Sequence, residues 1–507
     1  MKNNSALNQD RLNQTILAVI LLISYLYILP RWADQNTNSR MDMIVAVVDN
    51  GTFQIDPYVQ NTVDFAKVGD HFYSDKPPGA GFLGIPLYAG LRLVLQSPVL
   101  GPLMTRLSTN SAFQATLNTS GTGLSEDKLR IAISQVAVTY LVATLPTLLL
   151  ALLLYRLLRK MQVSAGTSLF TVLVYGLLTP AFAYANNFYS HQLSAALLLA
   201  AFSLAFDREK IGQVGRLLLT GFLIGYAVFS EYQVVLMAAI LFLYTFYQLI
   251  RKGSWLKIGW VVLTGLLVMS IWMIYNTLIF GGPFNLSYSY SADWAVQHHT
   301  GFMSLTFPHW DAFWGITFSQ FRGLFILSPL LLLAFPGLVI WWRNKAFRPE
   351  LVVVVAIILT MGLFNSSSIM WWGGFSVGPR YFLPAVPFMA IPLGMFLNHN
   401  SQKTWANILA GVLALLSLVG TWGMTLAGQS FPPDTILNPF AAYALPNWQS
   451  GNIARNLGTL LGFNGISSLI PLAIILLSVA LAWFFLGQSI TSKQKSTQWK
   501  IENNSLS

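Results

Sequence analysis

The sequence predicts an all-α polytopic membrane protein with about 12 (11–13) transmembrane helices, and three observations carry that prediction. Hydrophobic residues fill 54% of 507 positions and charged residues only 9%, and mean hydropathy is +0.57, a balance that no soluble domain of this length needs. Apolar stretches of roughly 16–24 residues recur, close to the ~20 that a helix needs to cross a ~30 Å hydrocarbon layer. The net charge of +11, from 29 Lys+Arg against 18 Asp+Glu, is concentrated in short loops between those stretches. There it sets membrane orientation and gives no reason to expect nucleic acid as a partner.

The first span, Thr15 to Pro30, follows Lys2 and Arg11 and lacks a small-residue cleavage site, so it is expected to be a retained anchor with its N-terminus in the cytoplasm. Further spans are expected near 132–155, 167–185, 191–206, 216–229, 233–250, 258–280, 323–342, 351–370, 381–397, 405–427 and 465–487. This count puts every loop rich in Lys and Arg on the cytoplasmic side: Arg156 to Lys160, Arg208 and Lys210, Arg251 to Lys257, Arg343 to Arg348, and the basic tail 488–507. Residues 1–487 read as a single polytopic domain whose first external loop spans 31–131, with further external segments at 281–321 and 428–463. Ala80 to Leu95 is apolar enough to span, but counting it alone would move Arg156, Arg159 and Lys160 outside. Its Gly79, Gly81, Gly84 and Pro86 suit a re-entrant or interfacial helix, the alternative being an ordinary span paired with a second one at 98–115.

The unusual residues gather in the external loops. Cysteine is absent, which excludes disulfides, thiolate metal sites and cysteine nucleophiles. There is no Walker A loop and no H-E-x-x-H, so a nucleotide-driven pump and a zincin protease find no support. The first loop holds seven acids, Asp34, Asp42, Asp49, Asp56, Asp64, Asp70 and Asp75. Ser39 is expected to cap a short amphipathic helix running to Val48, with Asn50-Gly51 as its stop and Arg40 and Asp42 in its first turn. In YSDKPPG, two prolines and a glycine fix the backbone directly after Asp75 and Lys76, the fixed geometry that a catalytic or phosphate-binding group needs. His191 and Glu231 stand at the external ends of two spans, where burying a lone charge is costly. Arg322 in FRGLF and Arg380 in GPRYF sit at external span ends, where a guanidinium can hold a phosphate bidentately or snorkel to headgroups. Trp371, Trp372 and Tyr381 lie beside Arg380 and could stack on a sugar, although aromatic belts also place Trp at this level. His298, His299 and His309 with Asp311 match no strong metal-ligand spacing, and the metal is left unknown.

Taken in order, the acid-bearing first loop, SDKPPG, a His at a span start, RGLF and WWGG with GPRY resemble the bacterial branch of the C-type membrane glycosyltransferases. The protein O-mannosyltransferase-like and lipid A aminoarabinose transferase-like enzymes share this pattern, over most of residues 15 to 400. The resemblance implies transfer of a sugar from a polyprenyl-phosphate carrier to an acceptor hydroxyl, with inversion, at the outer face of a prokaryotic inner membrane. It matches Asp75 and Lys76 to the family's acid and lysine before Pro-Pro. The family's Asp-Glu pair ahead of the arginine matched by Arg40 is replaced here by Thr37 and Asn38, so Asp42, Asp34 or Asp75 is left as the base. Lys76, Arg380, Arg322 and Arg40 are the candidate cations for the donor phosphate, with a divalent metal able to substitute for one of them. His191, Glu231, Trp371, Trp372 and Tyr381 are candidate substrate contacts. The expected partners are the lipid-linked donor, a glycan, lipid or protein acceptor, and the bilayer. Two other readings use the same charges: a transporter or flippase for a lipid-linked saccharide, and a ligase or polymerase acting on one.

Overall fold

The computed structural model describes residues 2–32, 34–109 and 124–504, with side chains described for 7–32, 34–109 and 128–488. Helices account for nearly all of its regular structure. Among the described residues seven helices are long and apolar enough to cross a membrane: Lys128–Lys160, Tyr232–Arg251, Trp255–Phe280, Lys345–Ser367, Arg380–His399, Thr404–Leu426 and Gly465–Gln488. Shorter apolar helices, among them Ala165–Leu177, His191–Phe206 and Val214–Ser230, pack between them. The chain is an integral membrane protein with a polytopic helical fold.

The first helix, α1 (Lys2–Tyr27), has no proline or glycine before Pro30, and it packs on Ala165–Leu177 and on the last helix, Ile470–Asn504. The stretch 323–342, expected as one span, is interrupted. Leu324–Leu327 is followed by a tight turn at Pro329–Leu333 and then Ala334–Trp342, because Pro329 cannot continue the preceding helix.

The two ends of the bundle differ. At one end the basic loops are stitched together by ion pairs: Arg159 with Asp10 (2.7 Å), Lys160 with Asp207 (3.5 Å) and Arg208 with Glu350 (3.1 Å). At the other end lies a layer made from the segment after α1 and the segment 281–321. Helix α2 (Gln35–Val45) continues as a wider turn to Asn50 and stops at Gly51, whose φ of +69° is one that glycine adopts freely. Its N-cap is Asp34, five residues before the expected cap Ser39, because the Asp34 carboxylate accepts from the Thr37 amide at 2.8 Å. Ser39 is therefore inside the helix, its hydroxyl 2.8 Å from that of Ser74, and Arg40 and Asp42 lie in the second turn, not the first. The segment Ala80 to Leu95 forms one helix, α3 (Gly79–Leu95), packed against α2 and the helix Leu124–Thr139.

Candidate active site

The site begins with a hairpin. Two runs of alternating character, FAKV and HFYS, flank a Gly-Asp turn in which Gly69 takes φ +61°. Strands β1 (Phe65–Val68) and β2 (His71–Ser74) pair antiparallel, Phe65 opposite Ser74. Continuing that register by one rung sets Asp64 opposite Asp75. The Lys76 Nζ lies between them, 2.8 Å from Asp64 Oδ2 and 3.1 Å from Asp75 Oδ1, and all three residues are buried. Pro77, Pro78 and Gly79 fix the exit into α3. Gly79 is pressed against the end of Val214–Ser230 so closely that a Cβ would come within 2.8 Å of the Ser230 amide nitrogen. The Tyr226 hydroxyl donates to the Gly79 carbonyl at 2.8 Å, and Glu231 follows directly on that contact.

A third piece of chain closes the hairpin. Ser291 bridges antiparallel to Ala66, the Ser287 hydroxyl donates to the Asp75 carbonyl at 2.7 Å, and the Ser291 hydroxyl donates to Asp75 Oδ2 at 3.3 Å. Burial pushes Asp75 up from the usual carboxylate range, with the negative charge of Asp64 adding to it against the pull of Lys76. Burial also opposes the charged form of Asp64, but Lys76, with Arg380 and Arg40 behind it, more than offsets this and holds Asp64 below that range. Burial would pull the Lys76 ammonium down, and its two carboxylate neighbours instead keep it raised.

Beside this triad runs a chain of polar contacts. His191 Nδ1 is 2.8 Å from Glu231 Oε2, the Ser190 hydroxyl donates to the same oxygen at 2.7 Å, and Gln233 donates to Oε1 at 2.7 Å. Arg40 Nη2 donates to Ser190 Oγ at 3.2 Å, while its Nη1 donates to the backbone and side-chain oxygens of Asn36. Arg380 lies over two rings, 5.4 Å from the centre of Tyr189 and 5.1 Å from that of Tyr381, and its Nη2 donates to the Tyr381 hydroxyl at 3.3 Å. The WWGG loop is shaped around it: Gly373 has φ +71°, and a Cβ there would come within 2.9 Å of Arg380 Nε. Neither Arg40 nor Arg380 has a carboxylate within ion-pair distance among the described residues, and the Nε of each is buried without a protein partner. Two cations open to an anion therefore stand next to a lysine clamped by two acids. The His191 ring ties the parts together, stacked on Tyr189 at 5.6 Å and edge-on to Tyr381 at 6.3 Å.

The remaining candidates have other surroundings. Asp34 spends one oxygen on the α2 cap and the other on the Tyr189 hydroxyl, which donates at 2.8 Å. Asp42 accepts from Asn61 at 3.3 Å through Oδ1, its Oδ2 has no protein partner, and burial drives the carboxyl well above the usual range. Arg322 is completely buried and donates to the carbonyls of Trp372 (3.2 Å), Gly374 (2.8 Å) and Pro432 (3.5 Å), with Phe321 under its guanidinium; burial lowers it to about 10. It braces the WWGG loop from behind. The Trp372 indole donates to Asp434 at 3.0 Å, and Trp371 packs edge-on against Trp372 and Phe321. His298 stacks on Tyr288 at 4.8 Å, its Nδ1 is 3.0 Å from Ser304 Oγ, and burial together with the nearby Lys76 charge lowers it to about 4. Among the described residues no three His, Cys, Asp or Glu side chains gather as a metal site would require.

The sequence reading named most of these residues but did not single out Asp64, Ser190 or Tyr189. For Asp64 the missed signal was the alternation on either side of Val68-Gly69-Asp70, which marks a hairpin and pairs positions 64 and 75.

No family model matches this chain, and neither does any curated protein. Solved structures do. ArnT from Cupriavidus metallidurans, in a crystal structure bound to undecaprenyl phosphate, aligns over 94% of this chain and 72% of its own, with a TM-score of 0.50 at 16% identity. The Archaeoglobus fulgidus oligosaccharyltransferase in the apo form, and AglB of the same organism in complex with an inhibitory peptide and a dolichol-phosphate, each align over 81% of this chain and 55% of theirs. Their TM-scores are 0.41, at 13% and 11% identity. The resemblance read from the motifs thus holds at the level of architecture: this chain has the polytopic membrane fold seen in ArnT.

Proposed function

We propose that the protein is a membrane glycosyltransferase that moves a sugar from a polyprenyl-phosphate-linked donor to an acceptor hydroxyl at the outer face of a prokaryotic inner membrane. The observation that carries this is the meeting of two unpaired buried arginines, Arg40 and Arg380, with the Asp64–Lys76–Asp75 cluster at one end of a fold shared with a protein solved with undecaprenyl phosphate. A lone buried cation is costly, and a phosphate docking against it supplies the missing counter-charge. The donor phosphate sits among Lys76, Arg380 and Arg40. These groups are already oriented, so they stabilise the charge that grows on the phosphate as the glycosidic bond breaks. The acceptor hydroxyl attacks the anomeric carbon from the opposite side, and a carboxylate takes its proton as the new bond forms. His191 and Glu231 hold Arg40 through Ser190, Asp34 holds the start of α2, and Tyr381 steadies Arg380. Arg322 shapes the Trp371–Trp372 loop at the rim of the sugar site. The gathering of Arg159, Lys160, Arg208 and Lys252 at the opposite end supports an outward-facing site with both termini cytoplasmic.

The test is transfer of labelled sugar from a panel of polyprenyl-phosphate monosaccharides by purified protein, with an acceptor extract and an Arg380→Ala control. Donor consumption that requires Arg380 supports the reading. If no donor in the panel is consumed, the transporter and ligase readings take its place, to be followed by movement or joining of lipid-linked oligosaccharide.

A further inference from the structure

We propose that Asp64 is the general base, the carboxylate that takes the proton from the acceptor hydroxyl. The proposal deepens the glycosyl-transfer reading and rests on it. Five acids border the site, and their partners separate them. Asp34 has both oxygens occupied, by the Thr37 amide and the Tyr189 hydroxyl. Glu231 has both occupied as well, by Ser190 and His191 on one side and Gln233 on the other. Asp42 is driven by burial toward its protonated form, in which it already holds a proton and cannot take the acceptor's. Asp75 is sealed in, its side chain 1% exposed, pinned by Lys76 and by Ser291, with its backbone carbonyl held by Ser287. Asp64 is different on each count. Its side chain is 13% exposed, its one partner is the Lys76 ammonium at Oδ2, and Oδ1 accepts no hydrogen bond from the described residues. It is the carboxylate of the triad that an acceptor can reach.

The neighbours of Asp64 also supply a way to switch it on. Facing it are Lys76 and Asp75 from the hairpin exit, Arg40 from α2, Arg380 from the GPRY turn and His298 from the helix Ala295–His299. Without donor, Lys76, Arg40 and Arg380 keep Asp64 ionised but weakly basic. A donor phosphate that engages these cations places negative charge beside Asp64 and raises its proton affinity at the moment when a base is needed. The acceptor oxygen then bonds to the anomeric carbon and its proton passes to Asp64. The bond from that carbon to the phosphate oxygen breaks, the electron pair leaves with the phosphate, and Asp64 afterwards releases the proton to water. The hairpin thus brings a carboxylate to the site in a chain where Thr37 and Asn38 stand in place of the acid pair that the motif resemblance implies ahead of Arg40.

The experiment compares full-length wild type, Asp64→Asn, Asp64→Glu and Asp75→Asn in detergent. Transfer is measured with the donor and acceptor that the wild type uses, and carrier binding with undecaprenyl phosphate by tryptophan fluorescence. Asp64→Asn is expected to lose roughly 10²–10⁴ in kcat, the usual contribution of a general base, while binding the carrier no more weakly than wild type. Asp64→Glu, which keeps the ion pair to Lys76 but shifts the carboxylate, is expected to retain carrier binding and part of kcat, and to move the acid limb of the pH profile. Asp64→Asn with near-wild-type kcat overturns the proposal. So does an Asp64→Asn variant that loses carrier binding as fully as transfer, since that makes Asp64 a counter-ion of Lys76 and nothing more. A wild type that consumes no donor overturns the glycosyl-transfer reading itself and takes this proposal with it, an outcome separate from any variant result.

Discussion

Two clusters of buried charge occupy opposite ends of this molecule, and they are built on opposite rules. At the basic end Glu350 is completely buried, and its Oε1 accepts from Tyr244 at 2.7 Å, Arg208 at 3.1 Å and Gln248 at 3.2 Å. The carboxylate is surrounded by donors from the helix Val235–Arg251 and from the loop that follows His191–Phe206, and has no capacity left for a ligand. At the site end Arg40 and Arg380 lack any carboxylate partner among the described residues, and Asp42 keeps an oxygen with no donor. Leaving such groups unpaired costs about 1–3 kcal/mol each. Such a cost is worth retaining where a ligand later satisfies the group, which is the role proposed for Arg40 and Arg380. Arg322 makes the same point within the site end. It stands in a glycine-flanked motif like that of Arg380, yet it spends its donors on four backbone carbonyls and belongs with the architecture.

Substitutions break this comparison in a graded way. The largest effect is expected from Arg380→Ala, which should cost roughly 10²–10³ in kcat, as for the loss of one preorganised donor to a developing charge. Its melting temperature should stay close to wild type, because the arginine makes no ion pair in the resting protein. A large loss of stability would place Arg380 with Arg322 and erase the distinction. Glu350→Ala should show the reverse, a loss of about 2–3 kcal/mol in thermal unfolding from three donors left without their acceptor, with kcat unchanged at temperatures where the protein remains folded. Next comes Gly373→Ala, which forces a Cβ onto a backbone at φ +71° and against the Arg380 guanidinium. It should cost about 1–2 kcal/mol of stability and raise the KM for the donor by displacing Arg380. The smallest effect is expected at Asp42. Its carboxyl is raised by burial in the folded state, so the folded protein binds more protons than the unfolded one, and this group makes stability fall as pH rises from the unfolded carboxylate value toward the folded one. Asp42→Asn should therefore flatten that part of the melting-temperature profile and leave the protein as stable as wild type, or more so, at neutral pH. If it instead abolishes transfer while the protein remains folded, Asp42 is a working carboxylate and belongs to the site.

Much of this was legible from local chemistry. The spans are runs of apolar residues, and a run of that length in a bilayer must close its own backbone hydrogen bonds, so the helices at His191–Phe206, Val214–Ser230 and Thr404–Leu426 follow from composition alone. The rigid exit of YSDKPPG and the Gly373 bend ahead of Arg380 could likewise be read from proline and glycine, whose backbone preferences do not depend on context. The start of α2 was misplaced because Asp34 and Ser39 are both competent caps, and the choice between them was made by contacts outside the helix: Tyr189 holds Asp34, and Ser74 occupies Ser39. Only the tertiary structure could decide which charges are free. Asp64 and Asp75 look alike in the chain, as do Arg322 and Arg380, and what separates them is the set of groups that packing brings within about 4 Å of each, the range over which hydrogen bonds and ion pairs act. Lys76 and Tyr381 are near in the chain, but the neighbours that separate the pairs, Ser291 at Asp75, Tyr189 at Arg380 and the carbonyls of Trp372, Gly374 and Pro432 at Arg322, come from 50 to 216 residues away, and no local pattern in the sequence encodes them.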